Sequence, residues 1–197
     1  MKKFTILFAF ISLIFVFSAN AQRISIGGFV GYASPQGDAF TYDEGSGGKG
    51  GFGYSVDILY HLSQFDNKLA VGLVYNDALL VGGGSSDNNI DLDMYLLGIR
   101  GVKGLYRFFD SKVSPYGAVS AGASRLEVPE VTSDGQVIAE GGSTYAFGVA
   151  PEIGVELGGF TISAMYLLPM KYETWGDQKE SAGSIQFSIG WRGGFDL

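Results

Sequence analysis

Apolar side chains in this sequence recur at every second residue, and that period constrains the fold more than any other feature. Successive side chains of a strand point to opposite faces, so a period of two marks a two-faced strand; an amphipathic helix repeats every three to four residues. Phe52, Tyr54, Val56, Ile58, Tyr60 and Leu62 alternate with Gly53, Ser55, Asp57, Leu59 and His61. Phe147, Val149, Pro151, Ile153, Val155 and Leu157 alternate with Gly148, Ala150, Glu152, Gly154 and Glu156. Ile185, Phe187, Ile189 and Trp191 alternate with Ser184, Gln186, Ser188 and Gly190. Weaker alternation covers residues 23–33, 68–81, 92–109, 113–126 and 160–168, so eight strands are predicted.

The connections narrow the class. Short turns are predicted at 63–67, at Asp110-Ser111-Lys112 and at Gly158-Gly159, a pair suited to positive φ in a tight hairpin. Long connections cover 34–51, 82–91, 127–142 and 169–183 and are rich in Gly, Ser, Asp, Glu and Asn. Strict alternation of long and short connections is the pattern of an all-β, eight-stranded antiparallel up-and-down barrel with tight turns at one end and long loops at the other.

The N-terminus reads as an export signal. Met1-Lys2-Lys3 is a short positive region, residues 4–17 are almost wholly apolar, and Ser18-Ala19-Asn20-Ala21 supplies the small-residue cleavage pattern. An apolar run of about 14 residues is short for a spanning helix, which needs ~20. The expected division is a cleaved signal peptide at 1–21 and a barrel domain at 22–197.

Composition helps to decide which face of the strands looks outward. Charged residues make up 17% of the chain, against about 25% in average soluble domains. The polar face is largely Gly, Ser and Ala and lacks the Lys/Glu density of a solvated surface. An eight-stranded barrel has a lumen just wide enough for side chains, which small residues and a few paired charges would fill. The aromatic face then suits lipid, with Tyr32, Tyr54, Tyr60, Tyr75, Tyr106, Tyr166 and Trp191 near strand ends as interfacial girdles. A transmembrane barrel is therefore expected. A soluble periplasmic lipocalin-like ligand-binding barrel, with the apolar face inward, is the alternative. Without the leader the chain has 11 basic and 20 acidic residues, a net charge of −9 that excludes a nucleic-acid footprint. With no cysteine there is neither a disulfide framework nor a thiolate metal site.

Val113-Ser-Pro-Tyr-Gly, the run Pro151-Glu-Ile-Gly-Val-Glu-Leu and a closing strand that keeps its parity through Trp191, Gly193, Phe195 and Leu197 carry a resemblance to a known family. Over 22–197 the chain resembles the small eight-stranded outer-membrane β-barrels of the OmpA/OmpX type, the outer membrane protein β-barrel domain group. The resemblance implies an outer-membrane location, periplasmic termini and extracellular long loops. It implies contact with membrane lipid and lipopolysaccharide, and engagement of the barrel-assembly machinery through Trp191, Phe195 and Leu197. It implies a monomer without a cofactor. Members usually finish on a terminal aromatic; here Leu197 ends the strand and Phe195 stands two before it. The expected role is non-enzymatic: structural, surface-interacting or a narrow pore.

Parity also nominates a lumen cluster. Asp57, His61, Glu152, Glu156 and Arg192 fall on the inward face. Arg100, Lys103 and Arg107 do not share one parity, and a bulge at Gly101 would let Ile99 and Val102 face out while all three cations point in. Counted from the short turns, His61, Arg107, Glu156 and Arg192 form one layer, and Asp57, Lys103 and Glu152 the next. Buried charges must pair, so a polar plug is expected rather than a wide pore. His61 is the sole histidine. A serine within reach and a third group to orient the ring would make a lipid-modifying enzyme, but the expected role of His61 is membership of the lumen network. Asp87-Asn-Asn89-Ile-Asp91 has the 1-3-5 oxygen spacing of a calcium loop, yet Leu92 and Gly98 replace its glycine and its bidentate glutamate, which leaves a solvated acidic loop. No nucleotide-binding, nucleophile-elbow or zinc-protease motif is present.

Overall fold

Eight long antiparallel strands close on themselves in a computed structural model that describes residues 23–40, 49–81, 90–92, 94–133, 136–173 and 179–196. In chain order the strands are β1 (Arg23–Gln36), β2 (Lys49–His61), β3 (Leu69–Val81), β4 (Ile90–Leu92), β5 (Met94–Arg107), β6 (Val113–Val128), β7 (Val131–Ser133), β8 (Gln136–Ala139), β9 (Gly142–Leu157), β10 (Phe160–Glu173) and β11 (Lys179–Asp196). The barrel runs β1-β11-β10-β9-β6-β5-β3-β2 and closes back onto β1; β4, β7 and β8 form a separate three-stranded sheet in the order β4-β7-β8. That small sheet ties two long connections to each other. Strands of three or four residues carry too little periodicity to be read beforehand.

Closure joins the first strand to the last, from Arg23 opposite Asp196 to Gln36 opposite Gly183. No sheet edge is left along that seam for hydrocarbon to meet. The short turns use residues that tolerate left-handed backbone: Asp66 and Asn67 at φ 52° and 59°, and Gly158 and Gly159 at 63° and 101°. At the long-connection end the strands outrun the predicted ones: β9 begins at Gly142 rather than 147, and β10 reaches Glu173 rather than 168. The β9 extension is mostly Gly, Ser and Thr and the β10 extension mixes Pro169, Lys171 and Glu173 with apolar residues, so neither has a two-faced pattern long enough to announce it.

Outward positions carry an apolar belt. Ile26, Val30, Val56, Ile58, Leu73, Val102, Val119, Ile153, Ile162 and Ile189 are all exposed, as are Tyr32, Phe52, Tyr106, Tyr145, Phe147, Phe187 and Trp191. A soluble monomer does not expose so large a contiguous apolar surface. The apolar face points outward, opposite to the arrangement of a soluble lipocalin-like barrel. One expectation about the wall is corrected. The ladders of β5 with β3 and with β6 run through Gly101 without a register shift, so there is no bulge. Ile99 consequently points inward and is fully buried, Val102 points outward, and Arg100 lies on the outer face.

Candidate functional site

The lumen has two storeys. The lower one, toward the short turns, is held by charge. Lys103 Nζ stands 3.0 Å from Asp57 Oδ2 and 2.7 Å from Glu152 Oε2. Arg192 Nη2 is 2.7 Å from Asp57 Oδ2, and its Nη1 pairs with Glu156. Arg107 Nε lies 3.0 Å from the other oxygen of Glu156. Three cations thus meet three carboxylates, and the cluster is neutral by itself. Tyr116 donates a 2.6 Å hydrogen bond to Glu152 Oε1, and the Phe29 ring lies 5.1 Å from the Arg192 guanidinium carbon and 5.7 Å from Lys103 Nζ. Glycine makes room for the large groups: a Cβ on Gly27 would sit 2.5 Å from Asp57 Oδ1, and one on Gly154 would strike the Tyr116 ring at 2.6 Å.

Six of the seven nominated lumen residues are joined by these contacts, and Arg192 spans both layers rather than belonging to the lower one. His61 stands apart from the ion pairs. Its Nδ1 donates to the Asn67 carbonyl at 3.0 Å, and Nε2 lies 2.8 Å from Ser25 Oγ, which fastens the end of β2 to its turn and to β1. Below it a cavity of about 370 Å³ opens toward the short turns, lined by Arg23, His61, Arg107, Lys112, Glu156 and Trp191 among others.

Above the charges sits an amide pair. Asn76 Nδ2 donates to Gln186 Oε1 at 2.9 Å and Gln186 Nε2 returns the bond to Asn76 Oδ1 at 3.0 Å. The upper storey is apolar: Leu80, Tyr95, Leu97, Ile99, Leu126, Leu167 and Tyr172 are fully buried together. Phe40, on the turn Asp38–Phe40, closes it from above and meets the Tyr95 ring edge-on at 5.3 Å. Ser181 Oγ donates to Asp38 Oδ2 at 3.0 Å and holds that turn to β11. Ser25, Tyr116, Asn76 and Gln186 escaped the sequence reading although all have inward parity, because a neutral polar residue does not demand a partner as a charge does.

Arg100 finds its partner outside the barrel. Its Nη2 lies 2.9 Å and 3.1 Å from the two oxygens of Asp77 and 2.9 Å from Tyr75 Oη. The guanidinium carbon sits 4.5 Å from the Tyr75 ring centroid. Tyr54 donates to Asp77 Oδ2 at 3.2 Å. Asp77 fits because its neighbour is Gly98, where a Cβ would stand 1.9 Å from Asp77 Oδ1. Among the described residues no group of three His, Cys, Asp or Glu side chains could hold a metal. The acidic run at Asp87–Asn89 lies outside the described residues, as do residues 1–22 and Leu197.

No protein-family model and no curated protein matches this chain. Solved structures do. Neisserial surface protein A superposes with a TM-score of 0.62 over 86% of this chain and 95% of its own, at 16% identity. Ail, the attachment invasion locus protein of Yersinia pestis, solved with the heparin analogue sucrose octasulfate, gives 0.52 over 89% and 100%, at 19% identity. The chain has the fold of the small outer-membrane β-barrels. OprG, an outer-membrane protein of Pseudomonas aeruginosa, agrees at 0.50 over 88% and 96%, with 13% identity. Identities this low establish architecture. In an outer-membrane barrel of this size the wall meets lipid and the lumen meets itself, which is the division of apolar and charged side chains described above.

Proposed function

We propose that this chain is an integral outer-membrane barrel that works through its surface and not through a pore or an active site. The observation that supports this reading is the pairing of an exposed apolar belt with a lumen that is packed apolar above and neutralised charge for charge below. Residues 1–21 are removed on export. The termini and the short turns face the periplasm, and the long connections face outward. The last strand, through Trp191, Phe195 and Leu197, presents the barrel to the assembly machinery. The folded protein is a monomer embedded in lipid and lipopolysaccharide, with Asp57, His61, Lys103, Arg107, Glu152, Glu156 and Arg192 closing the lumen as a structural plug.

Charge indicates what kind of surface partner fits. The connections 34–51, 82–91, 127–142 and 169–183 hold 12 acidic and three basic residues, which leaves eight of each on the rest of the chain after residue 21. The whole net charge therefore sits at the long-connection end. A sulfated polyanion, as bound by Ail, is a poor ligand for that end; a basic partner, or lipopolysaccharide bridged by divalent cations, suits it.

The test has two parts. A leaderless band from the outer-membrane fraction should change gel mobility on boiling in detergent, and the purified barrel should give no steady conductance in a planar bilayer. A stable open conductance would replace the plug with a narrow channel. Recovery in the soluble periplasm without a mobility shift would remove the membrane reading altogether.

A further inference from the structure

β9 is bonded unequally on its two sides. Along β6 it pairs over its full length, from Leu157 opposite Val113 to Gly142 opposite Val128. Along β10 pairing stops after six residue pairs, from Leu157 opposite Phe160 to Glu152 opposite Met165. Continued upward, that register would set Pro151 opposite Tyr166 and Pro169 opposite Gly148. Proline has no N–H to give a ladder. Gly158 N–H bonds the Lys112 carbonyl on the β6 side, so the backbone groups of the odd residues of β9 face β10, and Pro151 withholds a donor from that side. β10 also shifts its register against β11 between Leu167 and Met170. The pairing thus ends where Pro151 stands on β9 and just before β10 shifts its register.

The unzipping starts at membrane depth. The outward side chains of β9 run Leu157, Val155, Ile153, Pro151, Val149, Phe147 and Tyr145, with Ile153 and Phe147 each 70% exposed. A strand tilted by about 40° climbs about 2.5 Å per residue along the barrel axis, which puts Pro151 roughly 15 Å above Leu157 and about 10 Å below Phe147. At the foot of the seam lies an apolar cavity of about 300 Å³ lined by Pro151, Ile153, Ala164, Met165, Tyr166 and Ile185. Glu152 also borders it, but its carboxylate is turned inward to Lys103 and Tyr116. Met165, whose side chain belongs to the inner wall, borders the same cavity. Behind it stand small residues of β9, Gly148 and Ala150, and the partly buried Met170. Methionine side chains can re-pack around an inserted group.

We propose that the β9–β10 seam is a lateral slot that takes one acyl chain from the membrane leaflet on the long-connection side, the chain lying between the strands against Met165 and Met170. The proposal rests on the reading of the chain as a membrane-spanning barrel. A hydrocarbon chain suits the slot because the side chains that line its foot are apolar. A strand from a second copy would bring N–H and C=O groups to an edge that Pro151 interrupts. The slot also continues the lipid-facing belt, so an acyl chain enters it without crossing water.

Photo-cross-linking in intact outer membranes tests this. Benzoylphenylalanine is placed singly at Met165, at Met170, at Ile153 on the outer face and at Leu80 on the inner face of β3 across the barrel, and folding of each protein is checked by heat-dependent gel mobility. Adducts of lipid mass are expected at Met165, Met170 and Ile153 and not at Leu80, and Pro151→Val, which returns an N–H to β9, should reduce the two methionine-site adducts several-fold while sparing Ile153. Labelling at Ile153 without labelling at either methionine site overturns the slot, and so do adducts of protein mass at those sites or yields unchanged by Pro151→Val. Absence of lipid adducts at Ile153 overturns the membrane reading and the slot with it.

Discussion

The lower and upper halves of the lumen are built by the same strands and held by opposite physics. β5 contributes Arg107 and Lys103 below and Ile99, Leu97 and Tyr95 above; β9 contributes Glu156 and Glu152 below and Ala150 above; β11 contributes Arg192 below and Ala182 above. The lower half depends on pairing. Each ion there is desolvated and is tolerable only because its counter-ion and hydrogen-bond partners are in place. The upper half depends on shape and area, as the core of a water-soluble domain does. A change that removes one member should therefore be most damaging below. A change that removes volume should be most damaging above.

Arg192→Met breaks the lower half most severely, because it strips counter-charge from Asp57 and Glu156 together. A loss of about 3–5 kcal/mol is expected for removing one partner of a buried ion cluster, read as a lowered midpoint for urea unfolding of the barrel in micelles. A loss below about 1 kcal/mol would mean that water reaches the cluster from the cavity beneath and that the pairs are not desolvated. Leu97→Ala is the matching change above. It should cost about 3 kcal/mol through the cavity it leaves, measured in the same titration. If it is neutral, the upper storey is loosely packed and the comparison fails from that side. Gln186→Leu tests the boundary between the storeys. It leaves the Asn76 amide without its partner and should cost about 2 kcal/mol, unless a water can replace the lost amide.

Most of the wall was legible from the sequence and much of the lumen was not, for a physical reason. Alternation fixes which way a residue points as long as the ladder is regular, and the lipid-facing side of such a ladder is written in Val, Ile, Phe and Tyr. Asp57, Glu152 and Arg192 could be placed inside by counting alone. Arg100 shows where counting misled. It does not share the parity of Lys103 and Arg107, and only a bulge at Gly101 would bring all three cations inside; the ladders pass through Gly101 unshifted, so Arg100 lies outside. Asp77 on the adjacent strand, Tyr54 and Tyr75 around it and the space left by Gly98 make that position tenable. None of these is adjacent in sequence, so the compensation was invisible. The apolar upper lumen was hidden for a related reason. Ile99, Leu97 and Tyr95 alternate with Gly98 and Leu96, and apolar residues on both faces erase the period that would have revealed them.

Ser25→Ala has the smallest expected effect and separates the two readings of His61. Ser25 Oγ at 2.8 Å from Nε2, with Nδ1 held by the Asn67 carbonyl, has the nucleophile–base–orienter spacing that hydrolytic chemistry requires. Geometry at the dyad is only part of that requirement. A nucleophile must also reach a substrate, and Ser25 and His61 are 2% and 3% exposed. Two of the four cationic groups lining the same cavity, Arg107 and Arg192, are engaged with Glu156 and cannot serve a developing oxyanion without breaking the plug; Arg23 and Lys112 complete the set. If the bond fastens β1 to the first short turn, Ser25→Ala should cost about 1 kcal/mol, the usual worth of one hydrogen bond, and leave surface behaviour intact. A fluorophosphonate probe should not label the native protein. Covalent labelling that is lost in Ser25→Ala would instead make the lower cavity an active site and the charge cluster above it a floor, which would invert the comparison between the two halves of the lumen.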